Sequence, residues 1–202
     1  MNAPARRCYG LHVHSGDAEP GRYTAAQYFG LVERGLLCPD ERVELLDGLI
    51  VAMPPQTPPH AGTIAVLDDL LQTRLGADMH VRVQLSLQVA TSTVPEPDLA
   101  VVPGLPTAYF THHPTSALLV IEVAQSSVAQ DRLTKAAVYA AASIPEYWIV
   151  NLRDGVVEWF AEPRGGVYRR SGTALRGQVL SSAVLTGPPI AVDEVLPPAQ
   201  ND

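Results

Sequence analysis

One stretch constrains this chain more than any other: LLVIEVAQSS, residues 118–127, an aliphatic run interrupted by a single carboxylate, Glu122. The run reads as a buried strand. A carboxylate left unpaired in such a place costs several kcal/mol or more, so the group must be neutralised or held against a cation. Two positions can answer it: Asp98 upstream, as a second ligand to a shared ion, and Lys135 downstream, as a direct counter-charge.

Composition narrows the setting. A chain of 202 residues fits one domain of ordinary size and buries roughly 70% of its unfolded surface. A hydrophobic fraction of 47% and a charged fraction of 17% describe a globular chain, and 18 prolines predict long loops. The formal net charge of −7 gives no general attraction to nucleic acid, so a polyanion would need a local basic surface or a bridging divalent cation. Cys8 and Cys38 show neither metal-ligand spacing nor a disulfide framework, which predicts a reducing compartment, the cytoplasm by default. No apolar run is long enough to span a membrane. Among the 14 basic residues Lys135 is the only lysine, and an ammonium kept where arginine is otherwise the rule hints at chemistry.

Residues 1–22 lack periodicity and read as a poorly ordered arm, 23–196 as the folded domain and 197–202 as a tail. Thr24 and Gln27 form a capping box that predicts a helix over about 25–36. VELL, Asp47-Gly48 and LIVAM predict a hairpin. PPQTPPH (54–60) predicts a loop, followed by an amphipathic helix over about 60–75. HVRVQLSLQV alternates as a half-exposed strand does, DLAVVP reads as a short buried strand, and 103–116 is a loop long enough to act as a flap. DRLTKAAVYAAAS predicts a helix ended by Pro145, YWIVNL and VVEWFAE a second hairpin about Asp154-Gly155, and the C-terminal part irregular chain.

On this map Asp98 begins one strand, Glu122 lies within the next and Lys135 projects from the following helix. If the strands are neighbours, both carboxylates can converge on one hard cation, since Mg²⁺ typically uses one or two protein carboxylates. Asp131 and Lys135, four apart, share a helical face.

The succession VELLDG, PEPDLAVV, LLVIEVAQSS and DRLTKAAVYAAASIPEYWIVN resembles the Uma family of restriction-endonuclease relatives, a branch of the PD-(D/E)XK nuclease superfamily. The resemblance spans roughly residues 23–196 and is most specific from Ile121 to Asn151. It implies an α/β fold with a restriction-endonuclease-like mixed β-sheet core flanked by α-helices, here with additional β-hairpins. It also implies a metal-dependent endonuclease that hydrolyses phosphodiester bonds in DNA with Mg²⁺ or Mn²⁺, a homodimer suiting double-strand cleavage. By position, Asp98 and Glu122 match the family's metal ligands and Glu44 an acidic position that can complete the shell. Ala124 stands where the superfamily usually has its lysine, a role that passes by resemblance to Lys135. His60 resembles a family histidine to which no role is given.

Blander readings stand beside these. Glu122 pairs with Arg132 or Lys135, Asp98 caps a turn after Pro97, and Lys135 forms a surface i, i+4 pair with Asp131. Glu44 faces solvent on its hairpin, and His112 and His113 decorate a loop. Arg164, Arg169, Arg170 and Arg176 contact phosphates or form a solvated basic hairpin, while Trp148 and Trp159 are core or interface residues. The alternative function is a catalytically inactive nuclease-fold module that binds nucleic acid or protein. A third is a metal hydrolase of small phosphate esters.

Overall fold

The computed structural model describes residues 22–37 and 42–198. The expected arm and tail therefore fall largely outside the described residues, as do Cys8 and Cys38.

Helix α1, Ala25–Glu33, starts at the expected box: Thr24 N–H donates to Gln27 Oε1 at 2.8 Å and Gln27 N–H to Thr24 Oγ1 at 3.3 Å. It ends short of residue 36 because Gly35 takes a left-handed φ of +63°. Strands β1 (Val43–Leu46) and β2 (Leu49–Ala52) form the expected hairpin, with Asp47 at φ +48° and Gly48 at φ +82°, both positive as a type I′ turn requires. Helix α2, Pro58–Gln72, corrects the loop expected through residue 60. Pro58 and Pro59 open the helix, where the missing N–H groups have no intrahelical partner to lose.

Strand β3, Met79–Val83, is shorter than the alternation predicted. Gln84 turns left-handed at φ +51°, and its N–H donates to the Asp98 carbonyl at 3.1 Å. Strands β4 (Leu99–Pro103) and β5 (Leu119–Ala124) follow. Helix α3, residues 128–141, is not uniform: Val128–Gln130 and Ala136–Ala141 are α-helical and Asp131–Lys135 is a π-helical turn. Strands β6 (Glu146–Asn151), β7 (Val156–Arg164) and β8 (Val167–Leu175) complete the main sheet. The C-terminal part is less irregular than expected, with strands β9 (Val179–Leu180) and β10 (Ile190–Ala191) paired antiparallel and a short helix at Val192–Val195.

The fold is α/β, with a six-stranded mixed sheet in the order β3-β4-β5-β6-β7-β8 and two extra two-stranded sheets. Within the six-stranded sheet β5 and β6 run parallel, connected by α3, and the other neighbours are antiparallel. The two-residue strand period sorts the core into two layers. Leu119, Ile121 and Trp148 pack with Ile64, Leu67 and Leu71 of α2 on one face, while Val120, Ala124 and Ile149 pack with Ala136 and Tyr139 of α3 on the other. Ala25 and Tyr28 of α1 pack with Val43, Leu45 and Val94 in a third cluster. Glu122, sharing parity with Val120 and Ala124, thus points to the α3 side.

Leu67 is fully buried between α2 and the sheet, whereas Leu133 is 77% exposed. Leu67→Ala should cost about 2–5 kcal/mol in urea unfolding, whereas Leu133→Ala should change stability by no more than about 0.5 kcal/mol.

Candidate active site

The register of β4 on β5 brings the two predicted carboxylates together. Leu99 pairs with Ile121 and Ala100 with Val120, so one residue further along the antiparallel ladder Asp98 lies opposite Glu122. Both side chains are buried and both line a narrow cleft of about 50 Å³ with Glu44, His60, Asp131 and Lys135. Asp98 Oδ2 accepts the Val123 N–H at 2.9 Å and lies 3.2 Å from His60 Nε2, while its Oδ1 accepts from Gln84 Nε2 at 3.1 Å. Burial pushes its carboxyl up, but the hydrogen bond and charge of His60, with the bonds from Val123 and Gln84, hold it below the usual carboxylate range. The reading of Asp98 as only a turn cap is corrected: it is clamped by three elements.

Glu122 Oε1 accepts from Lys135 Nζ at 2.9 Å and from the Tyr139 hydroxyl at 2.7 Å. Lys135 Nζ also stands 3.4 Å from Glu44 Oε1. Lys135 is buried, and neighbouring Glu122, Glu44 and Asp131 outweigh its desolvation and hold it firmly as an ammonium. This overturns the surface pair with Asp131, since Lys135 pairs inward with Glu122 and Glu44 while Asp131 accepts from Ser127 Oγ at 2.8 Å. It also corrects the solvent-facing reading of Glu44, whose Oε2 accepts the Glu96 N–H at 3.2 Å inside the core. Arg132 is not the partner of Glu122; it chelates Glu158 at 2.6 and 2.7 Å. Burial pushes Glu122 up to about 8 despite the pull of Lys135, with Asp98, Asp131 and Glu44 adding to the rise.

Two groups escaped the sequence reading. Tyr139 follows Lys135 by four residues, a spacing that places both on one face, so a polar reading of that aromatic was available. Gln84 reaches Asp98 only because of its left-handed backbone, which no pattern announces. Trp148 is core as expected, and Trp159 is half-buried beneath Arg170. His113 stacks on Phe29 with ring centroids 4.8 Å apart.

Among the described residues no three acidic, histidine or cysteine groups are disposed as a ready metal shell. The Lys135 ammonium lies between Glu122 and Glu44, so the expected trio of Asp98, Glu122 and Glu44 is not convergent here. The pair of Asp98 and Glu122 does suit a hard cation. Four carboxylates line the cleft with the Lys135 ammonium, His60 and Arg42, the last paired with Glu96, and among the described residues no hydrogen bond reaches Glu122 Oε2.

Residues 31–193 match the sequence profile of a family described as "Uma2: Putative restriction endonuclease". The chain belongs to the Uma2 family. No curated protein matches this Uma2 chain. Among solved structures it is similar to one titled as a "putative nuclease belonging to DUF820" from Anabaena variabilis, with a TM-score of 0.69 at 11% identity over 86% of this chain and 97% of that one. That likeness concerns the fold, a nuclease-like mixed sheet with flanking helices. Uma2 membership supports a nuclease, and among the described residues no helix is long and apolar enough to cross a membrane.

The raised Glu122 carboxyl has a sign that can be measured. A group whose pKa is higher in the fold than in the unfolded chain stabilises the fold below its unfolded value, and that contribution is lost as pH rises through the folded value. The window here runs from about pH 4.5 to about 8. Urea unfolding without divalent cations should show stability falling across it, and Glu122→Gln should flatten the fall; an unchanged slope would contradict the assignment.

Proposed function

We propose that this chain is a Mg²⁺- or Mn²⁺-dependent endonuclease that hydrolyses phosphodiester bonds in DNA. The observation that carries the reading is the placement of Asp98 opposite Glu122 on one sheet face, with the only lysine of the sequence bonded to Glu122. Asp98 and Glu122 would hold the divalent cation, which when bound would supply the Lewis acid for a scissile phosphate. The protein's own groups do the rest. Val123, Gln84 and His60 fix Asp98, and Tyr139 fixes Glu122, so neither carboxylate has to reorganise. Lys135 supplies a positive charge at the cleft to stabilise the attacking hydroxide or the extra negative charge of the phosphate. Glu44 holds Lys135 in place and is a further candidate ligand.

Substrate contact needs positive surface on an acidic chain. The β7–β8 hairpin supplies candidates. Arg170 and Arg176 are paired with Glu162 and Asp193, whereas among the described residues Arg164 and Arg169 pair with no carboxylate. A cation in the cleft would further offset the acidic surroundings. A homodimer would place two such clefts on opposite strands of a duplex.

The second reading, an inactive module that binds nucleic acid or protein, is favoured by the ammonium seated between Glu122 and Glu44, which already satisfies both. Calorimetric titration with Mn²⁺ separates the two, since an inactive scaffold has no reason to bind the ion. Asp98→Ala and Glu122→Ala should each lower Mn²⁺-dependent cleavage of supercoiled plasmid by at least about a hundredfold while retaining the folded circular-dichroism spectrum. Cleavage persisting in both variants would sink the assignment. Lys135→Ala should lower turnover and leave Mn²⁺ binding largely unchanged; turnover equal to wild type would return Lys135 to a structural role.

A further inference from the structure

The loop between β4 and β5, the flap expected over 103–116, is fastened to the edge strand β3. The Tyr109 hydroxyl donates to the Pro103 carbonyl at 2.7 Å, and His80 Nδ1 of β3 stands 2.8 Å from the Gly104 carbonyl. The Tyr109 ring lies against β3, its centroid 5.6 Å from that of the His80 ring and 5.6 Å from the Arg82 guanidinium carbon. His112 meets the same ring edge-on at 5.6 Å. Arg82 pairs with Ala100, and Ala100 and Tyr109 both pack in the α3 layer, so this assembly sits on the sheet face that carries the cleft. Two residues on, about 7 Å at the rise of a strand, Gln84 holds Asp98 in that cleft.

Arg82 is the unusual member. It is half-buried against Tyr109, yet among the described residues it makes no ion pair and no hydrogen bond. Its Nε is buried without an acceptor, and its two Nη groups are the atoms left open to solvent. Burial lowers its pKa against the opposing pull of Tyr109, with no carboxylate contributing, and a guanidinium so placed is still a cation. The sequence accounts for the missing partner: neither 79–95 nor 99–121 contains an Asp or Glu, in a chain whose formal net charge is −7. Beside Tyr109 in the chain, Phe110 is 82% exposed. The surface thus joins a fixed cation without a counter-charge to an uncovered aromatic ring. These are the two parts with which proteins hold single-stranded nucleic acid, a guanidinium on phosphate and a ring on a base.

We propose that β3 and the loop after β4 bind a single-stranded stretch of DNA, Arg82 holding a backbone phosphate and Phe110 stacking a neighbouring base. That the polymer is DNA rests on the nuclease reading; that the ligand is a strand rests on the open guanidinium and the open ring. Tyr109 and His80 are positioning residues, which fix the guanidinium and the loop before the strand arrives, so little ordering is left to bind against. Stacking tolerates any base, because every base has a π-face, whereas the bases of a duplex are already stacked on one another.

Fluorescence anisotropy of a short labelled oligothymidylate, at low salt and with EDTA so that no divalent cation occupies the cleft, reads this binding without cleavage. Arg82→Gln should weaken it about tenfold and reduce the slope of log affinity against log salt by about 0.7, the value for one phosphate of a single strand. Phe110→Ala should weaken it about fivefold or more and leave that slope unchanged. Phe110 is exposed, so this variant folds whatever becomes of Arg82→Gln. Arg153→Gln, which removes the same charge from the exposed turn between β6 and β7, should bind as wild type does. The proposal is overturned if wild type does not bind the oligothymidylate, if Phe110→Ala or a folded Arg82→Gln binds as wild type does, or if Arg153→Gln loses as much as Arg82→Gln. It is also overturned if a duplex or thymidine 5′-monophosphate competes as well as the unlabelled strand. Because no metal is present, a failure here leaves the nuclease proposal standing on plasmid cleavage, whereas strand binding by a chain that cleaves nothing would count against the nuclease proposal alone.

Discussion

The buried ammonium of Lys135 is the interaction on which the arrangement of this molecule depends. It joins three parts of the chain distant in sequence: its own helix α3, the central strand β5 through Glu122, and the β1–β2 hairpin through Glu44. The hairpin is outside the six-stranded sheet, and its main-chain bonds, Leu45 with Val94 and Gly48 with Ser92 among them, run to the segment that precedes β4. The ion pairs therefore set where the hairpin sits over the cleft as much as packing does. A buried pair of this kind is weak evidence for net stability but strong evidence for a fixed geometry, because losing either partner strands a charge.

Once Glu122 is ionised, a single lysine facing two carboxylates leaves negative charge over. Asp98 and Asp131 add to that excess, and the protein disperses it through local donors: the Val123 N–H, Gln84 and His60 for Asp98, and Ser127 for Asp131. Such a surplus in a cleft is unfavourable in the absence of a counter-ion and favourable once one is present. The same feature that makes the cleft costly to fold is the one that the proposed cation would offset.

Much of this was readable in the residues. The aliphatic run around Glu122 fixed a central strand, the two Asp-Gly turns fixed hairpins, and the ordered motifs identified the partners Asp98 and Lys135. What failed did so for physical reasons. Pro58 and Pro59 read as loop because proline interrupts a helix anywhere except its first turn, and the boundary is invisible to composition. Glu44 read as exposed because a charge on a short hairpin usually is; only the tertiary approach of Lys135 makes its burial tolerable. The π-helical turn over Asp131–Lys135 leaves no trace in a periodicity argument, since it shifts one turn of an otherwise ordinary helix. It is this shifted turn that carries Lys135, with Tyr139 one turn beyond it, and both reach one oxygen of Glu122.

The ladder between β4 and β5 is short. Three residues pair, while on its other side β5 pairs with β6 over six. Where the two strands part, the Val123 N–H turns to the side chain of Asp98. A carboxylate has taken the place of a main-chain carbonyl, so the sheet opens a gap in its interior without orphaning a donor. An internal edge finished in this way offers no template to a foreign strand, and the charge that guards it is the charge proposed to hold the cation. Sheet termination and the proposed metal ligand fall on the two oxygen atoms of one residue, so a substitution at Asp98 alters both at once.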